Sequence, residues 1–447
     1  MSGATRNPIQ FLKSKFDKES KTLFKNSGWV FTSTIIGSGL AFLRAILIAR
    51  FLGVELLGIY TLAIAFVLTT QELMRLNVSM GLIKFGAGYL AENRKDKVAS
   101  VIKMSLLLSS GSALASIVLL GAMIFISYDT FLPAPGLALP VLLFSLANGM
   151  SFVDAISKSS LKLHYKFKTN SVIQIVMDII EFSLITATLF TFKNNLIYFF
   201  YASIVARIIN SLVCNYAAWA ELKPDLQPYW KSSKLQLIES DKKEYLRFVF
   251  SNSLSSSIKV LMNQGDVLLL GNIAGTGAVG LYSTAKKLAY SLLTITDPLV
   301  NAIFPQFSML VAKKEFAKVK VMLRKLSLLT MGPAVLFVAI SYFFKEDLII
   351  LFFGPEFADA ALPFFYLMIT AVQASIFFWA LPLIQSLGMA NLRLKVYLSA
   401  IVVGAFIAFL LTPDMGPTGT AIGVLAANVY INLRFIYVGV RSISKTN

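Results

Sequence analysis

Cysteine and histidine occur once each in 447 residues, as Cys214 and His164. A lone cysteine excludes an intrachain disulfide and any multi-cysteine metal site, and a lone histidine in a basic stretch excludes a histidine-rich catalytic centre. Charge is scarce as well: 14% of residues are Asp, Glu, Lys or Arg, and acids are outnumbered 23 to 41. A chain so poor in charge, 56% hydrophobic and with a mean hydropathy of +0.71, cannot clothe a soluble core in polar surface. It reads as a polytopic membrane protein. The segments between apolar runs are short, which leaves no room for a large external catalytic domain.

A bilayer span needs about 20 mostly apolar residues, and twelve such runs are present, at 28–51, 56–83, 101–127, 137–157, 171–191, 196–219, 248–272, 278–308, 326–344, 361–387, 396–412 and 419–440. Spans in lipid must satisfy their own backbone hydrogen bonds, so these are helices. The segments alternating between them are lopsided: 29 lysines and arginines fall on one side, and only Lys193 and Lys345 on the other. The positive-inside rule then puts both termini in the cytoplasm. Most of the +18 net charge is topology and contact with anionic lipid headgroups, not nucleic-acid binding.

The expected fold is an all-α membrane protein of twelve transmembrane helices in two parallel six-helix lobes around a central cavity. Residues 1–27 read as an amphipathic segment on the inner surface, with Ile9, Leu12, Phe16 and Leu23 on one face. The lobes occupy 28–221 and 248–441, a polar linker 222–247 separates them, and 442–447 form a tail. A shift of 222 residues lays Gly53, Gly58, Tyr60 and Ala63 on Gly275, Gly280, Tyr282 and Ala285. Six spans being an even number, the halves enter the membrane in the same direction and are related by an axis along its normal. The same shift turns Arg44 and Arg75 into Asp266 and Asp297.

Charges buried among lipid tails cost about 2.5 to 3.5 kcal/mol each, so deep ones face a hydrated cavity or a partner. Span 7 shows Asn252, Ser256, Lys259, Asn263 and Asp266 on one helical face; span 8 does the same with Ser283, Lys287, Tyr290, Thr294, Asp297 and Asn301. Span 1 carries Thr34, Gly37, Ala41 and Arg44, where the small residues either make room for a ligand or pack helices closely. In span 2, Arg75 binds a ligand or forms an i,i+3 pair with Glu72. Span 5 carries Gln174, Asp178 and Glu181. Buried carboxylates are candidates for ion coupling, and Glu181 reads better as a counter-ion to Arg207 or Lys103. Trp379, between Gln373 and Gln385, reads as a packing or interfacial residue.

The run from Gly39 through Arg44 and Arg50 to Gly53, followed by Leu57-Gly-Ile-Tyr60, resembles the opening signature of the polysaccharide transporters, the O-antigen flippases of the multidrug/oligosaccharidyl-lipid/polysaccharide exporter superfamily. That resemblance implies transfer of an undecaprenyl-pyrophosphate-linked oligosaccharide from the inner to the outer leaflet of a bacterial cytoplasmic membrane, through a cationic cavity open alternately to each side. It implies no cofactor, coupling to protons or sodium, and as partners membrane lipids and the polymerase and glycosyltransferases of the same pathway. On this reading Arg44, Arg75, Lys259 and Lys287, with Asn252, Asn263 and Tyr290, bind the substrate. Asp266, Asp297, Glu72 and Asp178 gate or couple. Lipid II flippases carry an arginine followed by aspartate in span 1; here Ala45 follows Arg44. The alternatives are a cation-coupled multidrug antiporter, which calls for an acidic pocket, and an enzyme acting on polyprenyl sugars.

Overall fold

The computed structural model describes residues 8–126, 136–192, 195–232 and 239–445, with side chains except at 8–25, 231–232, 239–240, 255, 294–299, 301–302, 305, 390–391 and 445. Regular structure among the described residues is all helical. The first half holds α1 (Pro8–Met74), α2 (Val78–Ala91), α3 (Lys95–Ile126), α4 (Ala138–Leu163), α5 (Phe167–Thr191) and α6 (Leu196–Ser232). The second half holds α7 (Glu239–Ser291), α8 (Leu293–Ala312), α9 (Phe316–Phe343), α10 (Lys345–Phe353), a 3-10 turn (Pro355–Ala360), α11 (Ala361–Ile376), α12 (Ala380–Ser386), α13 (Ala390–Met415) and α14 (Pro417–Lys445).

Ten helical stretches among the described residues are long and apolar enough to cross a membrane. Two of them, α1 and α7, fold back on themselves. Gly53 (φ 72°, ψ 178°) and Gly275 (φ 79°, ψ −177°) stand 222 residues apart and adopt the same left-handed turn, which a β-carbon would strain. Lys286 and Asp266 would lie about 30 Å apart on a straight helix, yet their charged atoms are 2.6 Å apart. Ala41 and Leu68 likewise line one cavity from opposite sides of Gly53. Twelve passes result, as the apolar runs require.

The two turns meet face to face. A β-carbon on Gly58 would run into the carbonyl of Thr276, and one on Gly280 into the carbonyl of Val54. The 222-residue shift exchanges these two contacts, so the pseudo-twofold axis passes between Gly58 and Gly280. Nearby, Arg50 of the first lobe donates from Nε to the Phe352 carbonyl (2.8 Å) and from Nη2 to that of Leu351. It thereby caps the C-terminal end of α10 in the second lobe, where a cation meets the negative end of the helix dipole. Thr276 donates to Glu55 across the same seam.

Three apolar cores follow from this arrangement. On the side of the turns, one core runs across both lobes, from Ile48 and Phe66 to Tyr282 and Phe353. On the side of the basic loops there are two: one in the first lobe around Val98 and Leu161, one in the second around Phe307 and Phe435. The start of α7 belongs with the first, since Tyr245 and Val249 are fully buried in it and Tyr245 shares a hydrogen bond with Ser105 (2.8 Å). Asp241 joins in, accepting from Lys97 (3.2 Å) and Tyr89 (2.7 Å). Burial and that carboxylate raise the Tyr89 hydroxyl well above the usual phenol range, so it donates at neutral pH.

Local order departs from expectation in three places. Helix α1 runs unbroken from Pro8 to Gly53, so the N-terminal segment extends the first pass. Helix α6 continues to Ser232 through Pro224 and Pro228, held by buried Leu222 and Leu226 and by Lys95–Asp225 and Lys166–Glu221 ion pairs. The second pass breaks at 75–77 with no proline or glycine there, whereas the break of the tenth at 377–379 comes just before Pro382, which cannot donate to the Phe378 carbonyl. At the first break, the freed Asn77 amide donates to Ser253 (2.8 Å), and Ser257 donates to the Glu72 carbonyl (3.2 Å). Hydroxyls of α7 therefore take up what the broken helix releases.

Candidate functional site

A cavity of about 520 Å³ lies between the lobes, beneath the paired turns. Both folded-back helices line it, together with α5 and α6. From the first lobe come Arg44, Tyr60, Glu181 and Arg207; from the second come Asn263, Lys286, Lys287 and Tyr290. Four cations thus share the space with one carboxylate.

Each lobe neutralises one of its own deep charges. Arg44 Nη1 lies 2.5 Å from Glu181 Oε1, so Glu181 is the counter-ion of Arg44 and not of Arg207 or Lys103; Lys103 instead donates to the Trp230 carbonyl. Lys286 Nζ lies 2.6 Å from Asp266 Oδ2 and also donates to the Asn263 carbonyl (2.7 Å). Asp266 accepts in addition from the Tyr282 hydroxyl (2.6 Å) and, on Oδ1, from the Val267 amide (2.9 Å). Both of its oxygens are taken, and its side chain is only 6% exposed. Lys287 and Arg207 face the cavity with no ion pair among the described residues. Arg44 and Asp266, matched by the repeat, do not pair with one another.

Asp178 sits beside Gly37, and a β-carbon there would strike its Oδ2. The missing side chain on Gly37 therefore makes room for a carboxylate, not for a ligand. Oδ1 of Asp178 accepts from Gln174 (2.9 Å), while Oδ2 is buried with no hydrogen-bond partner among the described residues. Arg75 lies outside the main cavity, paired with Glu72 at 2.6 Å and over the ring of Phe152. Both line a smaller chamber of about 170 Å³. Lys259 is exposed on α7 between that chamber and the cavity, and Asn252 donates to its own helix at the Phe248 carbonyl (3.0 Å). The side chain of Asp297 lies outside the described residues. Trp379 is buried and donates to Ser327 (2.8 Å), a packing role.

Of the expected binding residues, the structure brings Arg44, Lys287, Asn263 and Tyr290 together. Reading the sequence missed Arg207, Lys286, Tyr60 and Ser203. Lys286 falls about 100° around the helix from Lys287 and so off the polar stripe. The repeat did mark Tyr60, whose hydroxyl lies 3.3 Å from Ser203, as the counterpart of Tyr282.

Two lobes of six passes, joined at one side over a cationic cavity, define a membrane transporter or flippase. A family model described as polysaccharide biosynthesis protein matches residues 23–311, and the chain belongs to that family. Among solved structures it is similar to an inward-facing multidrug resistance MATE transporter of the MOP superfamily (TM-score 0.75, 14% identity, 92% of this chain and 95% of that one). It is similar also to the lipid II flippase MurJ in an inward closed conformation (0.66, 14%, 95% and 90%). The outward-facing MATE conformation gives 0.57 at 14% identity, over 94% and 96%. These likenesses carry the fold. No curated protein matches.

Proposed function

We propose that the chain flips polyprenyl-pyrophosphate-linked oligosaccharide from the inner to the outer leaflet of a bacterial cytoplasmic membrane by alternating access. The observation that carries this reading is the charge of the cavity. After Arg44 is set against Glu181 and Lys286 against Asp266, Lys287 and Arg207 remain facing open space with no ion pair among the described residues. Two such charges in a site of low dielectric match a diphosphate, which supplies anionic charge and many acceptor oxygens. Hydroxyls of Tyr60, Ser203 and Ser283 line the same cavity and add donors. Substrate held there exchanges leaflets when the seam at Gly58 and Gly280 opens and the basic side closes.

Coupling to protons or sodium falls to Asp178, the carboxylate with a buried oxygen left unbonded; Asp266 is a gate partner, holding Lys286. An antiporter of organic cations shares the fold, but this cavity would repel its substrate. The test is flipping of a fluorescent polyprenyl-pyrophosphate-linked sugar in proteoliposomes. Active flipping lost in Arg207→Ala/Lys287→Ala supports the reading, and robust efflux of organic cations with no lipid flipping sinks it.

A further inference from the structure

The smaller chamber lies on the basic side of the main cavity, a short step along two helices. On the second pass Leu68 lines the cavity and Glu72 the chamber; on α7 the corresponding pair is Asn263 and Ser256. At 1.5 Å per residue these separations are about 6 and 10 Å. Lys259 stands between Asn263 and Ser256 on the same α7 face.

The chamber differs from the cavity in charge. Its Arg75 and Glu72 form an ion pair at 2.6 Å, leaving no net charge to draw a second phosphate. Around the pair stand the Asn77 amide and the hydroxyls of Ser79, Ser109 and Ser256, with Phe152 as the apolar wall under Arg75. The space exists because the second pass breaks at 75–77 and Asn77 turns its side chain to Ser256 (3.0 Å). Amide, hydroxyl, guanidinium and carboxylate groups fixed around an apolar ring suit a neutral, polyhydroxylated ligand, whose hydroxyls both donate and accept. A volume of about 170 Å³ corresponds to five or six waters at roughly 30 Å³ each, and the hydroxyls of a sugar ring can take over the hydrogen bonds those waters would make.

We propose that this chamber is a saccharide subsite, holding a sugar ring of the glycan whose diphosphate occupies the main cavity. The inference rests on the lipid-linked-glycan reading above. It also fits the direction of travel, because a headgroup entering from the basic side with its diphosphate deepest trails its sugars toward the chamber.

Protein purified from its host's membranes with the lipids it retains, read by native mass spectrometry, tests this. Wild type is expected to carry polyprenyl lipid bearing sugars in excess over glycan-free polyprenyl pyrophosphate. Ser79→Ala/Ser256→Ala should lower that ratio about tenfold, the scale of one or two lost hydrogen bonds, with total polyprenyl lipid unchanged; Asn77→Ala should do the same. Arg207→Ala/Lys287→Ala should lose both lipid species together. An unchanged ratio in both chamber variants overturns the subsite, and so does a proportional loss of both species there, which would assign the chamber a structural role. Wild type carrying phospholipid but no polyprenyl lipid would remove the lipid-linked reading and the subsite with it.

Discussion

At the depth of residue 44 the first lobe holds an arginine bonded to Glu181, and 222 residues later, at the same depth of the second lobe, Asp266 is bonded to Lys286 and Tyr282. The turns above them are alike: Gly53 and Gly275 share a backbone conformation, and Gly58 and Gly280 meet on the axis. Duplication has thus kept the backbone of the seam and changed the charges beneath it. In both lobes, however, the deep pair is closed within one lobe. Moving the lobes apart breaks neither pair, so no buried charge is stranded during transport. The cavity cations with no ion pair among the described residues, Lys287 and Arg207, come one from each lobe. On the proposed function, a diphosphate between them would join the lobes through the ligand and not through each other.

The largest effect on flipping should come from spoiling the seam that both lobes share. Gly280→Leu forces a side chain into the Val54 carbonyl, and flipping should fall at least about a hundredfold, roughly 2.7 kcal/mol. If Gly58→Leu gives the same loss, the symmetry of the seam is functional; normal flipping in either variant breaks the comparison. Next comes the difference between paired and unpaired cations. Lys286→Ala leaves Asp266 buried without its counter-ion, a loss of about 3 to 5 kcal/mol, read as a fall in melting temperature. Lys287→Ala should leave the melting temperature nearly unchanged while weakening pyrophosphate binding about tenfold, roughly 1.4 kcal/mol. Equal thermal losses in both would show that pairing does not distinguish them.

Two smaller effects sharpen the contrast. Glu181→Gln frees Arg44 for the ligand, so pyrophosphate should bind a few-fold tighter, by about 0.5 to 1.5 kcal/mol, while flipping slows because release is harder. The matching change Asp266→Asn should not tighten binding to the same degree, since Lys286 keeps the Asn263 carbonyl as a partner. Asp178→Asn should remove the dependence of flipping on an imposed proton or sodium gradient and leave pyrophosphate affinity intact. Gradient-driven flipping that survives in this variant would assign coupling elsewhere.

The parts of this structure legible in the sequence are those set by local rules. Apolar length marked the passes, and glycine followed by a short external turn marked both fold-backs, where only a residue without a β-carbon sits easily. The stripe from Asn263 to Asp266 and the step from Lys287 to Tyr290 follow helical spacing, and all four residues do stand at or behind the cavity. What was not legible depends on which helices become neighbours. Glu181 had Arg207 and Lys103 as its expected partners, and only the packing of α5 against the first pass brings it to Arg44 instead. Gly37 makes room for Asp178 for the same reason. The break at 75–77 carries no proline or glycine and is stabilised by serines of α7, from another helix, whereas the break at 377–379 was legible in Pro382.

On the proposed function, an anionic headgroup is gripped by Lys287 and Arg207, the two cavity cations with no ion pair among the described residues. Flipping of fluorescent polyprenyl-pyrophosphate-linked sugar in proteoliposomes, compared between wild type and Arg207→Ala/Lys287→Ala at matched thermal stability, measures it directly. A loss of about a hundredfold is expected, two tenfold steps of about 1.4 kcal/mol each. Undiminished flipping in the double variant would contradict it.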